Sequence, residues 1–479
     1  MKKLLAFLIP LCCTACTADT ITVTYSEGHS PVVSPAEIDG LKITVKNGDV
    51  KIKDWRDNTT TPLTFVLKGT SSNGSFKLNT EAKTRIQLEG LNLTSQAGAP
   101  LHLKNKKKAE LIAADGTQNT LTIAACTDTA KQKAAAIWTK DKLLLSGKGT
   151  LNIISQANGC KGINCKDDLT IEDLTLNVET LGDNLGVDTT RQAGPGGPPP
   201  NFNPDDLPEE VKAHFEEMRK HFEGMAQQGE HPMMGPPPMG GGPFGKQKYM
   251  NTCKGIKAKG ILTINSGTVS VTTHSRGAEG LEGKQGVNIN GGTILVHAMD
   301  DAINSGGQIF FNGGHTQAIS ISNDAVDSNA GGDTPAIIIA GGTVLAWSQN
   351  GPPEEGLDCD FSPIQVTDGT ILSVGAGMGD MPSVPTTETA LQPTVLLTGL
   401  DIQKDQPITL HETNKKGQPT GQPFFSYTVP FDFQSSSSLI TSPAFRVGGS
   451  YIVKSGSNTY TFTLTQPFTV SRQGEARNR

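Results

Sequence analysis

The sequence predicts an all-β fold, a parallel β-helix, on three observations. One apolar position recurs at a near-constant interval: Ile137, Ile163, Val187, Ile256, Leu281, Ile303, Val326 and Leu357, mostly 22 to 31 residues apart. Each copy then continues with a short alternating strand, a tight turn and a second alternating strand, as in "LTINSGTVSV", "VNINGGTILV", "IFFNGGHTQAISI", "IIIAGGTVLA" and "IQVTDGTILSV". The chain is also rich in glycine (54 residues) and poor in aromatics (5%), which suits a turn-rich β protein of Val, Ile, Leu and Thr. A hairpin array gives no reason for one phase to persist over eight copies. Coils that lie directly on one another do.

The elements follow in chain order. Residues 1–15 read as a lipoprotein-type signal: Lys2 and Lys3, an apolar Leu4–Leu11 core, then "CTAC" ending in Cys16, the expected lipidated residue. This places the mature chain in the cell envelope, anchored by that lipid or released, and no other stretch is apolar enough to span a membrane. Residues 16–63 read as an N-terminal β cap, built on "GLKITVKNGDVKIKDW". The solenoid is expected over 64–375, with Leu262, Ile264, Val269 and Val271 on one face and Val287, Ile289, Ile294 and Val296 repeating them one coil later. Glycines at the corners, such as Gly267 and Gly292, permit the positive φ of a sharp turn. An insertion over 190–250 differs in composition: Pro/Gly runs flank one expected helix, Pro208 to Met225, and six of ten methionines fall between Met218 and Met250, with His231 among them. It reads as a projecting loop, thioether metal chemistry being the other reading. Residues 376–479 read as antiparallel strands that cover the open end of the stack.

Losing Lys2 and Lys3 with the leader leaves 39 basic against 47 acidic residues, which argues against nucleic acid as a partner. Cys126, Cys160, Cys165, Cys253 and Cys359 show no zinc-ligand spacing, and their odd number leaves one thiol over. Cys160 and Cys253 both precede Lys-Gly-Ile and share a phase, so adjacent coils would bring them near disulfide distance.

The acidic residues recur in the same frame. "MDDAINSGG" (299–307) and "SNDAVDSNAGG" (322–332) are one phrase written twice, and the phrase extends to three columns. These are Glu279, Asp301, Asp324 and Glu355; Glu282, Asn304, Asp327 and Asp358; and Ala278, Asp300, Asn323 and Glu354. Parallel strands lie about 4.8 Å apart, so stacked carboxylates repel by roughly 3 to 4 kcal/mol per neighbour at an effective dielectric of 20. The nearby bases Lys284 and Arg276 do not recur in phase by spacing. A hard divalent cation with oxygen ligands suits this mixture, and calcium is the expected ion.

At these residues the chain resembles a known family. "FVLKGTSSNGSFKL", "LHLKNKKKAELIAADGTQNTLT", "KGIKAKGILTINSGTVSVTT", the acidic phrase, and the closing "FSYTVPFDF" and "SLITSPAFRVGGSYIV" are similar to those of bacterial secreted, calcium-binding, right-handed parallel β-helices that bind carbohydrate and share the pectate lyase fold. The resemblance implies calcium held between coils by Glu279, Glu282, Asp300, Asp301, Asn304, Asn323, Asp324 and Asp327, and affinity for polysaccharides such as cellulose or polygalacturonate. Leu185 stands where that pattern has an acid, so no calcium site is expected at Asp183 and Asp188.

Three functions compete. The first is a calcium-dependent polysaccharide binder, with Trp347 and Trp138, outside the coil by phase, as faces for a sugar ring. The second is a polysaccharide lyase, in which calcium acidifies a uronate and a base removes its C5 proton; Lys254, in the Glu279 column, is the candidate base, an ion pair with Glu279 being the other reading. The third is an adhesin in which the solenoid is a spacer.

Overall fold

Alternating side chains and regularly placed glycines make strands and corners, and a stack of parallel strands results. The computed structural model describes residues 20–56, 62–127, 134–187, 249–350, 353–359, 362–375, 383–414 and 416–472. Every regular element among them is a strand. The expected signal, Cys16, the Pro208–Met225 helix and His231 lie outside the described residues.

The chain forms two compact units, residues 185–250 and the remainder. Leu185–Val187 and Tyr249–Asn251 make a two-stranded sheet. The larger unit holds an 11-stranded sheet, a 22-stranded sheet and a four-stranded sheet. After an antiparallel hairpin of Leu41–Lys46 and Asp49–Asp54, the 11-stranded sheet runs parallel throughout, each turn of the chain adding one strand. A typical turn gives Leu281–Gly283 to this sheet and Gly286–Ile289 and Thr293–Ala298 to the larger one. Parallel pairing begins before residue 64: Thr20–Tyr25 already pairs in parallel with Leu63–Ser71. It gives way at Ile364–Gly375, which takes Phe433–Thr441 as an antiparallel neighbour.

The apolar column is a register. Ile137 pairs with Ile163, Ile163 with Ile256, Ile256 with Leu281, and so on through Ile303, Val326 and Leu357. Val187 is the exception, because Ile163 meets Ile256 directly. Inward side chains of each turn, such as Val287, Ile289, Ile294 and Val296, are at most 2% exposed. Each such burial contributes about 1.5 to 3 kcal/mol. At the corner, Gly292 has φ +89°, and a Cβ there would lie 2.6 Å from the Gly267 carbonyl oxygen below it. Only glycine meets both demands.

A second set of glycines spaces the turns. A Cβ on Gly162, Gly255 or Gly280 would lie 2.4, 2.3 or 2.2 Å from Cγ1 of Val178, Val271 or Val296 across the same turn. In the next two turns the equivalent positions are Ala302 and Ala325, and the positions matching Val296 are Ala318 and Ala346. Gly faces Val, and Ala faces Ala.

Candidate functional site: two charged columns on one sheet

The parallel register sets one outward position of each strand on the next. One column crosses the ten parallel strands of the 11-stranded sheet: Lys51, Lys77, His102, Trp138, Asn164, Lys257, Glu282, Asn304, Asp327 and Asp358. Three residues earlier in each turn runs Lys161, Lys254, Glu279, Asp301, Asp324 and Glu355, successive turns being tied by backbone hydrogen bonds. Both columns are basic at one end and acidic at the other.

The two signs meet at Glu282. Its carboxylate is fully buried and takes three ammonium groups: Lys254 Nζ at 2.8 Å, Lys257 Nζ at 2.6 Å and Lys284 Nζ at 2.5 Å. Burial alone would raise its pKa; the three lysines outweigh that and hold it well below the carboxylate range. Lys254 Nζ also lies 2.5 Å from Glu279 Oε1. Burial disfavours the Lys254 charge, but Glu279 and Glu282 overcome this and raise its pKa. An amine held protonated in that way cannot take a proton at neutral pH, so the ion-pair reading of Lys254 is the one its surroundings support.

Beyond Glu282, Asp301 and Asp324 form no ion pair among the described residues. Asp301 is held by amides: Asn304 Nδ2 donates to its Oδ2 at 2.8 Å, and Asn323 Nδ2 donates to Oδ1. Asn304 Nδ2 also reaches Asp327 Oδ2 at 2.8 Å. Asp324 accepts the Glu355 N–H at 2.5 Å, and Ser383 donates to Glu355 and Asp358. Burial, then the neighbouring Asp300, Asp327, Asp324 and Glu279, push the Asp301 pKa well up; burial, then Asp358 and Glu354, do the same for Asp324. Glu279 Oε2 is buried without a hydrogen-bond partner. A donor set of carboxylates and amides with an orphaned carboxylate oxygen fits a hard cation. Among the described residues no three acidic, His or Cys side chains close on a single point.

These shifts carry a sign. Asp301 and Asp324 bind protons more tightly folded than unfolded, so with chelator present stability falls as pH rises above the ordinary carboxylate range. Glu282 acts oppositely: its contribution is lost as pH drops below that range. Calorimetry in chelator should therefore find a lower Tm at about pH 8 than at about pH 5.5. Equal melting at the two values would contradict the burial of these two acids.

Other expectations change. Trp347 does point out of the coil, in register with Ile319 and Val374. It is nevertheless 2% exposed, because Phe433, Phe445, Tyr451 and other C-terminal residues pack with it in a second apolar cluster. Trp138 is 6% exposed, its ring 4.5 Å from that of His102. Neither offers a sugar an open face. Cys160 and Cys253 are on adjacent turns, and the Cys253 thiol donates to the Asp183 carbonyl at 3.3 Å; no disulfide forms among the described cysteines.

Lys284 does recur in phase. Lys104, Lys140, Lys166, Lys259 and Lys284 occupy one position on successive turns, each backbone N–H bonding to the turn before. Asn79 and then Lys53 continue that column toward the N-terminus. Burial and the neighbouring Lys259 and Lys257 bring Lys166 down to about 8. Burial with Lys254 and Lys257 does the same to Lys161.

A family model described as a carbohydrate-binding domain-containing protein matches residues 56–190 and 244–325. Those spans contain every rung from Lys77 to Asp324. A carbohydrate-binding domain-containing protein of Acetivibrio thermocellus is 29% identical over 153 residues, which is 31% of this chain. The chain spans half the length of that curated relative. Among solved structures, a polysaccharide lyase-like protein from C. thermocellum, studied as a gadolinium derivative, is 19% identical with a TM-score of 0.42, over 73% of this chain and 99% of the other.

Proposed function

We propose that this chain is a calcium-dependent polysaccharide-binding protein of the cell envelope, built as a right-handed parallel β-helix and anchored through Cys16. The observation that carries the reading is the pair of acidic columns, in which Asp301 and Asp324 are enclosed among further acids and Glu279 has a buried oxygen without a partner. The carbohydrate-binding family match, which takes in Glu279, Asp301 and Asp324, supports it. Carboxylate oxygens of Glu279, Asp300, Asp301, Asp324, Asp327, Glu355 and Asp358, with amide oxygens of Asn304 and Asn323, would supply ligands for calcium along the columns, each ion drawing on the side chains of neighbouring turns. Glu282 belongs to the lysine cluster, paired with three ammonium groups, and is outside that set. Calcium would neutralise the stacked charge and offer its open coordination positions to sugar hydroxyls or carboxylates.

Polysaccharide pull-downs in calcium and in EDTA test this. Binding in calcium should fall at least about tenfold in EDTA, and Tm should rise with calcium, since a ligand at a hundredfold excess over its Kd adds about 2.7 kcal/mol. Sugar binding and melting that both ignore calcium would overturn the reading.

A further inference from the structure

The lysine column has no role in a calcium site. Lys53, Lys104, Lys140, Lys166, Lys259 and Lys284 fill six of seven consecutive rungs, Asn79 being the other. Rungs about 4.8 Å apart set these amines along a line of about 29 Å. Lys104, Lys140, Lys259 and Lys284 are exposed. Among the described residues only Lys284 of these four forms an ion pair, with Glu282. The chain is acidic as a whole, with a net charge of −6, so this line is a local concentration and no overall surplus of base explains it. Like charges so aligned repel unless an occupant of opposite sign and similar repeat lies along them. At the head of the line, the Trp55 ring is 67% exposed, with Lys53 Nζ 5.6 Å from its centroid.

We infer that this column is a track for an extended acidic polysaccharide, its carboxylates on successive lysines and one sugar ring stacked on Trp55. The inference rests on the carbohydrate-binding reading and adds to it a binding surface separate from the acidic columns. A repeating carboxylate suits both ends of the sheet, where lysines would pair with it directly and a calcium-loaded acidic corner would bridge to it. A single-stranded nucleic acid calls for an aromatic platform for successive bases, and Trp55 is the one aromatic among the large apolar residues exposed in the described chain.

The test uses the full chain in calcium, with polygalacturonate, its methyl ester, a neutral glucan and a single-stranded DNA as probes. The variants are Lys104→Gln/Lys140→Gln/Lys259→Gln combined, and Trp55→Ala. Wild type should bind the acid form at least about tenfold more tightly than the ester, and should lose about tenfold or more between about 50 and 200 mM salt. The triple variant should lose about tenfold for the acid form with its Tm unchanged, and Trp55→Ala should weaken acid and ester alike. Equal affinity for acid and ester, or a triple variant that binds the acid form as wild type does, overturns the track while leaving neutral-glucan binding intact. Tighter binding of DNA than of polygalacturonate also overturns it. If wild type binds no polysaccharide at all, the carbohydrate reading fails and the track with it.

Discussion

Replacing Glu282 with Gln should cost about 3 to 5 kcal/mol, far more than any exposed charge change on the same sheet. Its carboxylate is 0% exposed and forms ion pairs with Lys254, Lys257 and Lys284 within 2.8 Å. The variant keeps the shape and removes the charge. Lys254, 10% exposed in its side chain, is left with Glu279 alone, and Lys257, 16% exposed, has no other carboxylate partner among the described residues. A buried cation without its partner is the expensive outcome, whereas removing both charges is often neutral. Glu282→Gln combined with Lys254→Met and Lys257→Met should therefore recover most of the loss. As a control, Glu110→Gln removes exposed pairs with Arg85 and Lys108 and should cost no more than about 1 kcal/mol. Denaturant melts measure all three. A Glu282→Gln protein within about 1 kcal/mol of wild type would show that this junction is not an electrostatic unit.

The second large effect is steric. Gly280→Ala places a methyl 2.2 Å from Val296 Cγ1 and 2.6 Å from the Ala302 carbonyl oxygen of the next turn. The valine can be removed but the carbonyl cannot, so the single variant should lose about 2 to 3 kcal/mol, as overpacked cores do. The molecule already contains the partial remedy, since Ala302 and Ala325 are tolerated where the matching residues are Ala318 and Ala346. Gly280→Ala with Val296→Ala should be less unstable than the two single losses added together, giving a coupling of about 1 kcal/mol or more. Additive losses in the double-mutant cycle would mean that the carbonyl, and not the valine, sets the spacing.

Much of this was legible because it is periodic. Alternation at Leu262–Ile264 and Val287–Ile289, glycine at each corner and the Glu282–Asn304–Asp327–Asp358 series all repeat at the interval that stacking imposes. Val187 shows the limit of that signal. It is apolar and 24 residues beyond Ile163, so spacing alone makes it a rung, while hydrogen bonding selects Ile256. For Trp347 the phase was readable and the exposure was not, because its cover comes from Phe433 to Phe462, far along the chain. The lysine column stayed hidden because its steps vary: 36 residues from Lys104 to Lys140 and 93 from Lys166 to Lys259, against 25 or 26 elsewhere. Of the charge partners, the Lys254–Glu279 pair followed from the shared column, and the lysines around Glu282 did not. That Lys254 and Lys257 converge on the Glu282 carboxylate depends on adjacent turns meeting in three dimensions.

The direct pairing of Ile163 with Ile256 has a wider meaning for how such a chain can change. Asn184 accepts the Cys253 N–H at 2.7 Å and donates its own N–H to Ser275, so the ladder is stitched shut where the long excursion leaves and returns. A seam of this kind is a port for passengers: sequence can be added there while the ladder on either side stays unbroken, and the ladder need not be rebuilt to carry it.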